Sequence, residues 1–201
     1  MIRIGITGGL STGKSTVLQM LVELGVPTIS ADAVGHRLMA PGHAPYTQIV
    51  AAFSSDVLSL DKSINRAFLG NLVFADPSKR QLLESLTHPP IWREIERWCQ
   101  EHAQGGTPVV AIEVPLLFEA HLEQAVDEVW LVACDLSTQV ARARSRGLTE
   151  RDALDRIAAQ MPLDEKARRA HRIIDTDRSL EDTKRQVSEA LARVCGQRAG
   201  A

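Results

Sequence analysis

The residues best suited to chemistry stand near the start of the chain, in the segment GGLSTGKST at 8–16. It matches the pattern G-x-x-x-x-G-K-[ST], which holds phosphate when a strand precedes it and a helix follows. Its glycines let the backbone turn tightly, so that N–H groups reach phosphate oxygens. Lys14 can reach the β and γ phosphates, and the Ser15 hydroxyl can ligate Mg²⁺. The segment predicts a nucleoside triphosphate site formed by Gly8, Gly9, Ser11, Thr12, Gly13, Lys14, Ser15 and Thr16.

An acid and two arginines favour a kinase over the other proteins that carry such a loop. Asp32 comes just after a predicted strand, where its carboxylate could accept a hydroxyl proton or simply cap the next helix. Arg142 and Arg146 share a helix face and could cover a transferring phosphoryl group, although a solvated face is the alternative. The N-K-x-D motif of a GTPase switch is missing from the sequence. The strand VVAIEV lacks the closing Asp typical of a motor ATPase.

The segments around these residues predict an α/β fold with a mostly parallel sheet. Strands are predicted at 2–7, 26–30, 108–114, 128–134 and 171–175. Helical stretches alternate with them, which implies right-handed βαβ connections. Two longer helical regions interrupt the alternation, at about 33–105 and 139–170. We expect one domain, 1–201, with a core of about 1–32, 106–138 and 171–195.

Composition narrows the class of protein further. The chain has 201 residues, 44% of them hydrophobic, and a net charge of −2, which favours neither nucleic acid nor an anionic membrane as a partner. It has no run of 18 apolar residues and no secretory signal. Cys99, Cys134 and Cys195 are few and far apart, which predicts a reduced, cytoplasmic setting. Cys99 and His102 could form half of a zinc site, but no second pair has suitable spacing.

Six motifs in a fixed order give the chain a family resemblance over about residues 2–190. They are ITGGLSTGKST, SAD at 30–32, THP at 87–89, PLLFE at 115–119, Gln139-x-x-Arg142-x-x-x-Arg146 and AAQMP at 158–162. In this order they resemble dephospho-CoA kinases. The resemblance implies a P-loop kinase core with a five-stranded parallel sheet, a helical CoA-binding insertion at about 33–105 and a helical lid at about 139–170. It implies transfer of phosphate from ATP, with Mg²⁺, to the ribose 3′-hydroxyl of dephospho-CoA, which is the final step of coenzyme A synthesis.

The resemblance also implies roles for individual residues. Asp32 would be the general base, Lys14 would neutralise charge on the phosphoryl group, and Arg142 with Arg146 would clamp it. The substrate-binding residues would be Asp32, His88, Pro115 and Leu116. For His88-Pro89 a helix-breaking turn is an equal alternative to substrate contact, and Leu116, Leu117 and Phe118 suit packing better than chemistry. Glu119 could cap a helix or orient a substrate group.

Three segments depart from the family pattern. Ser30 stands where the family often has Asp, giving S-A-D instead of D-A-D, which weakens any scheme with two acids there but leaves Asp32 intact. Ser11 stands where the family often has glycine, and a negative φ would accommodate it. The stretch AHRIIDTDRS, expected near the adenine of ATP, differs at His171, Thr176 and Arg178. Another small-molecule P-loop kinase and a non-catalytic nucleotide-binding protein remain the rival functions. The sequence is compatible with a homo-oligomer.

Overall fold

The predicted strands form a five-stranded parallel sheet in a computed structural model that describes residues 1–197. The strands are β1 (Ile2–Gly8), β2 (Thr28–Ser30), β3 (Val109–Glu113), β4 (Glu128–Ala133) and β5 (Arg172–Asp175). Their order in the sheet is β2-β3-β1-β4-β5, and every neighbouring pair is parallel. The prediction of an α/β fold with a parallel sheet is therefore confirmed. β2 begins two residues later than predicted.

The helices fall in the gaps between these strands. They are α1 (Lys14–Glu23), α2 (Ala31–Leu38), α3 (Ala44–Phe53), α4 (Arg66–Ala75), α5 (Pro77–Gln104), α6 (Leu136–Ser145), α7 (Glu150–Ala158), α8 (Leu163–Arg169) and α9 (Leu180–Gln197). The chain divides into two compact units. The sheet unit comprises Met1–Ser30 and the chain from His102 onward, and the helical unit comprises Ala31–Glu101. Within residues 1–197, no helix combines the length and apolar character needed to cross a membrane.

The core of the sheet unit forms where α1 and α9 pack on one face of the central strands. Ile4 and Ile6 of β1 are fully buried there with Val17 of α1, Trp130 of β4 and Val187 of α9. Each such side chain contributes roughly 1.5–3 kcal/mol by leaving water. Because β1 lies between β3 and β4, the loop that follows it emerges at the centre of the sheet edge.

The other face of β1 is closely packed by the chain that follows β3. A Cβ added at Gly5 would lie 2.8 Å from Leu117 Cδ1, so the glycine in IRIGIT makes room for PLLFE. Leu117 and Phe118 are fully buried, as predicted for packing residues, whereas Leu116 is 46% exposed.

The helical unit has a core of its own, built from α3, α4 and the segment between them. Ile49, Val57, Ile64 and Leu69 are buried there. The long helix α5 continues through Pro89 and Pro90 without a break. The helix-breaking turn considered for His88-Pro89 is therefore wrong, although each proline removes one backbone N–H from the helix. One turn before them, Ser85 Oγ donates to the Leu82 carbonyl (2.7 Å) and Thr87 Oγ1 donates to the Leu83 carbonyl (2.8 Å).

Candidate active site

The phosphate-binding loop lies between β1 and α1, as its sequence pattern requires. Gly13 has φ 96°, in the left-handed region that favours glycine, and the helix begins at the next residue. A Cβ added at Gly8 would lie only 2.3 Å from the Val132 carbonyl oxygen of β4. Glycine at position 8 thus lets the loop leave the sheet close to the neighbouring strand.

Lys14 and Ser15 occupy the first turn of α1. The Lys14 ammonium lies inside the loop, where Nζ donates to the carbonyls of Gly8 (3.1 Å) and Gly9 (2.8 Å). The amides at the start of a helix have no acceptor one turn earlier, and the helix dipole adds partial positive charge there. An ammonium and a helix N-terminus thus converge on the same loop, an arrangement that suits a phosphate chain.

Ser11 adopts a conformation that the sequence did not lead us to expect. Its φ is +56°, so the negative φ that would accommodate a side chain is not what the structure has. A left-handed residue with a Cβ costs about 1–2 kcal/mol relative to the right-handed region. Ser11 is 8% exposed, and its neighbour Thr12 is fully buried with Oγ1 donating to the Gly9 carbonyl (3.1 Å). Close packing and local bonding hold the loop in this strained shape.

Arg142 contacts the loop through Thr176, the residue after β5. Its Nη1 donates to Thr176 Oγ1 (2.9 Å) and its Nη2 donates to the Thr176 carbonyl (2.6 Å). Thr176 Oγ1 in turn donates to the Thr12 carbonyl of the loop (2.7 Å). Thr176 departs from the family pattern in the sequence, yet it supplies the link between the arginine and the loop.

A cleft beside this link is lined by four of the sheet-unit residues predicted for the site. It has a volume of about 230 Å³, and its lining includes Gly13, Thr16, Arg142, Arg146, Thr176 and Arg178. Three guanidinium groups on one cleft next to a phosphate-binding loop favour an anionic ligand. The structure therefore brings the two predicted arginines to the loop. Arg178, from the segment expected near adenine, joins them.

Leu10, at the crest of the phosphate-binding loop, is held by two glutamines that sequence reasoning did not place in the site. Gln139 Nε2 donates to the Leu10 carbonyl (2.7 Å), and the Leu10 N–H donates to Gln160 Oε1 (3.0 Å). Both belong to family motifs in the sequence, Gln139-x-x-Arg142 and AAQMP, which was the signal available beforehand.

PLLFE is tied to α8 by a buried ion pair that the sequence also did not reveal. Lys166 is fully buried, and its Nζ lies 2.8 Å from Glu119 Oε1. The same oxygen accepts the Met161 N–H (3.1 Å). Glu119 therefore does not cap the helical turn that follows it, and the orientation of a substrate group by this residue stays a prediction. Glu119 holds the segment from Met161 to Lys166 against the end of β3.

A second ion pair reinforces the same connection. Arg169 pairs with Glu123, and its guanidinium lies 4.6 Å from the centroid of the Phe118 ring. Burial raises the pKa of Glu123, but hydrogen bonds from the backbone and from Arg169 outweigh it and set the pKa below its usual value.

Asp32 and His88 belong to the helical unit. Asp32 lies in the first turn of α2 with an exposed side chain, directly after the carboxyl end of β2 in the chain. His88 is exposed within α5. Pro115 is held in the sheet unit, where its carbonyl accepts from Thr7 Oγ1 (3.1 Å). Among residues 1–197 there is no cluster of three or more His, Cys, Asp or Glu side chains able to hold a metal ion.

Comparison with known proteins agrees with this architecture. A family model described as dephospho-CoA kinase matches residues 2–182. The dephospho-CoA kinase of Symbiobacterium thermophilum is 47% identical over 98% of the chain and 83% of the relative. That of Carboxydothermus hydrogenoformans is 39% identical over 94% and 93%.

Solved structures agree as well. The crystal structure of TT1252 from Thermus thermophilus superposes with a TM-score of 0.82 at 34% identity, covering 96% of the chain and 97% of TT1252. The dephospho-CoA kinase from Campylobacter jejuni superposes with a TM-score of 0.70 at 26% identity, covering 96% of each chain. The chain belongs to the dephospho-CoA kinase family.

Proposed function

We propose that the chain transfers the γ-phosphate of ATP to the ribose 3′-hydroxyl of dephospho-CoA, the final step of coenzyme A synthesis. The observation that carries this proposal is the phosphate-binding loop of the family, with its glycines in the required conformation and with Lys14 lying inside it. The family supplies the acceptor. Cys99, Cys134 and Cys195 form no disulfide among the described residues, which fits residence in the reducing cytoplasm.

The residues present fit a magnesium–nucleotide complex. Gly13 has φ 96° and no side chain, so the loop backbone that leads into α1 can approach phosphate oxygens closely. Ser15 is exposed in the first turn of α1, where its hydroxyl would ligate Mg²⁺. When bound, the ion offsets the negative charge of the β and γ phosphates.

Catalysis by this chain rests on positioning and charge, because phosphoryl transfer offers little covalent work to a protein. Lys14 would neutralise charge at the β and γ phosphates from within the loop. Arg142 and Arg146 line the adjoining cleft and would stabilise the transferring group. Arg142 is already oriented by two hydrogen bonds to Thr176, so part of its side-chain entropy is lost before substrate binds.

Asp32 would act as the general base toward the 3′-hydroxyl. Its exposure in the first turn of α2 supports this role, because a general base must be accessible to the hydroxyl whose proton it accepts. His88, Pro115 and Leu116 would contact the acceptor. The 46% exposure of Leu116, beside fully buried Leu117 and Phe118, supports a ligand contact for that side chain.

A parallel acceptor assay tests the proposal. ATP and Mg²⁺ are supplied with dephospho-CoA, AMP or shikimate, and both ADP and the phosphorylated product are measured. We expect ADP and coenzyme A with dephospho-CoA alone, and no turnover after chelation of Mg²⁺ by EDTA. Turnover with another acceptor would reassign the substrate, and nucleotide binding without any turnover would indicate a binding protein.

Substitution of the proposed base tests the mechanism. Asp32→Asn should lower kcat by roughly 10²–10⁴-fold, because the amide cannot accept the hydroxyl proton. The affinity for ATP should change little. Asp56→Asn, which neutralises another exposed carboxylate of the helical unit, serves as the control and should stay near the wild-type rate. A near-wild-type rate for Asp32→Asn would remove Asp32 from the role of base.

A further inference from the structure

The peptide groups of Leu10, at the crest of the phosphate-binding loop, bond to side chains distant in sequence. Its N–H donates to Gln160 Oε1 (3.0 Å), and its carbonyl accepts from Gln139 Nε2 (2.7 Å). Gln139 lies on α6 and is 2% exposed, whereas Gln160 lies just after α7. Two elements of the predicted lid thus hold the two sides of one residue.

The loop needs such support because its backbone is not regular. Ser11 and Gly13 both have positive φ, so the residues between β1 and α1 form neither a strand ladder nor a helical turn. On its other side the loop is held by Thr176, whose hydroxyl donates to the Thr12 carbonyl (2.7 Å). Gln139 and Thr176 hold the carbonyls of Leu10 and Thr12, so the N–H groups on the far side of those two peptides, of Ser11 and Gly13, would face the phosphates. Gln160 fixes the preceding peptide through the Leu10 N–H.

The direction of each hydrogen bond follows from chemistry. A carbonyl oxygen accepts only, so Gln139 must present its amide nitrogen to Leu10, and Gln160 must present its oxygen to the Leu10 N–H. Gln139 also lies close to the preceding residue, because a Cβ added at Gly9 would be 2.6 Å from its Nε2. The two side chains thus differ in polarity although they serve the same residue.

We propose that Gln139 and Gln160 are positioning residues for phosphoryl transfer. They fix the Leu10 peptide and thereby the direction of the loop amides that receive the nucleotide phosphates. Gln139 lies on α6 and Gln160 lies just beyond α7. Nucleotide binding at the loop is therefore coupled to the conformation of the segment from α6 to Gln160. The proposal rests on the loop being a nucleotide site, and it is independent of which acceptor the enzyme uses.

The opposite polarities allow a matched test with Gln139→Glu and Gln160→Glu. Both variants bring a carboxylate to Leu10, so the cost of the added charge near nucleotide phosphates is common to the two. Gln160→Glu keeps an acceptor for the Leu10 N–H, whereas Gln139→Glu replaces a donor with an oxygen facing the Leu10 carbonyl. Gln139→Met and Gln160→Met remove each bond with a side chain of similar length.

The primary measurement is the Kd for Mg²⁺–ADP and for a non-hydrolysable ATP analogue by calorimetry at pH 8, without any acceptor. We expect Gln139→Glu to bind about tenfold more weakly than Gln160→Glu, the size expected for one partly buried carbonyl left without its donor. Gln160→Glu should bind more tightly than Gln160→Met, and Gln139→Glu more weakly than Gln139→Met. The Met pair keeps this ordering measurable if one Glu variant does not fold.

A pH series provides a signature that a merely structural role would not produce. Protonation of Glu at position 139 restores an O–H donor to the Leu10 carbonyl, so its affinity should recover as the pH falls from 8 toward 6. Gln139 and Gln160 line a second cleft of about 330 Å³, separate from the arginine cleft, and Asp135, Asp164 and Cys134 line it as well. Their contribution is cancelled by measuring wild type and Gln160→Glu under the same conditions. Gln160→Glu should show no such recovery.

Three results would overturn the proposal. Equal weakening by both Glu variants at every pH would show that charge alone acts. Wild-type Kd and kcat in all four variants, with only a lower Tm, would show that the glutamines serve stability and not positioning. Recovery of nucleotide affinity by both Glu variants at low pH would show that the donor role of Gln139 and the acceptor role of Gln160 are assigned wrongly. Failure of the wild type to phosphorylate dephospho-CoA would refute the proposed acceptor but leave these binding comparisons intact.

Discussion

Removal of the buried ammonium of Lys166 should destabilise the sheet unit substantially. Lys166 is fully buried and its Nζ lies 2.8 Å from Glu119 Oε1, with the Pro115 carbonyl at 3.4 Å. Lys166→Met keeps most of the apolar stem, so the loss is mainly that of the charge and its hydrogen bonds. Breaking a buried ion pair from one side costs about 3–5 kcal/mol.

The environment of the Glu119 carboxylate, which Lys166→Met leaves unpaired, determines where in the range of about 3–5 kcal/mol or below it the loss of stability falls. The Glu119 side chain is 23% exposed and keeps the hydrogen bond from Met161 N–H, so water and that amide stabilise it in part. Within the part of the chain that the structure describes, its Oε2 has no hydrogen-bond partner. We therefore expect a loss of about 2–3 kcal/mol from Lys166→Met, which corresponds to a Tm lower by roughly 5–10 °C for a protein of this size.

Thermal unfolding followed by circular dichroism measures this effect. The double variant Lys166→Met/Glu119→Gln removes both charges and should be more stable than Lys166→Met alone, because no buried charge is left unpaired. Lys184→Met is the matched control: this lysine is largely exposed, 3.6 Å from Glu23, and should contribute less than about 1 kcal/mol. A Tm drop of under about 2 °C for Lys166→Met, or a double variant less stable than it, would refute the reasoning.

The arginine link, the loop and the cysteines lead to further predictions. Arg142→Ala should lower kcat by more than about tenfold, since the guanidinium would meet developing phosphoryl charge. Thr176→Val should weaken nucleotide binding and spare kcat, and identical kinetics for the two variants would mean that Arg142 acts only through the loop. Ser11→Gly should relieve the strain of a φ of +56° and raise the free energy of unfolding by about 1 kcal/mol or less, because the greater freedom of glycine in the unfolded chain offsets part of the relief. Urea unfolding measures this change, and a clear loss of stability would contradict the presence of strain. Burial raises the pKa of the Cys134 thiol, so in the native protein iodoacetamide should label exposed Cys195 and leave Cys134 unlabelled near pH 8, as read by peptide mass. The same shift implies that stability falls as the pH rises above the ordinary thiol pKa of about 8.5, because only the unfolded thiol then ionises.

The central strands and the phosphate-binding loop could be predicted from sequence because each depends on a short local pattern. Ile4 and Ile6 alternate with small or polar residues along β1, and apolar runs mark β3 and β4. The loop pattern specifies its glycines and its lysine within one continuous segment. Burial on both faces of the sheet requires apolar residues in the central strands. The tight turn of the loop requires glycine.

Local patterns misled where neighbouring structure outweighed them. Pro89 and Pro90 favour the end of a helix, yet α5 continues through both, because packing of its buried residues such as Ile95 and Cys99 outweighs the missing backbone bonds. Ser11 would avoid a positive φ in an isolated peptide, but the packed loop imposes it.

The sequence by itself was enough to predict the phosphate-binding loop and the parallel sheet, and its motifs were enough to indicate the family and hence the phosphate acceptor. Only the tertiary structure decided what each polar side chain of those motifs contacts. Leu10 is separated from Gln139 by 129 residues and from Gln160 by 150, and Lys166 is separated from Glu119 by 47, so no local spacing records these pairs. A lysine in a basic helical segment is expected to be exposed to solvent. Lys166 is buried instead, because the carboxylate of Glu119, distant in sequence, offsets its charge.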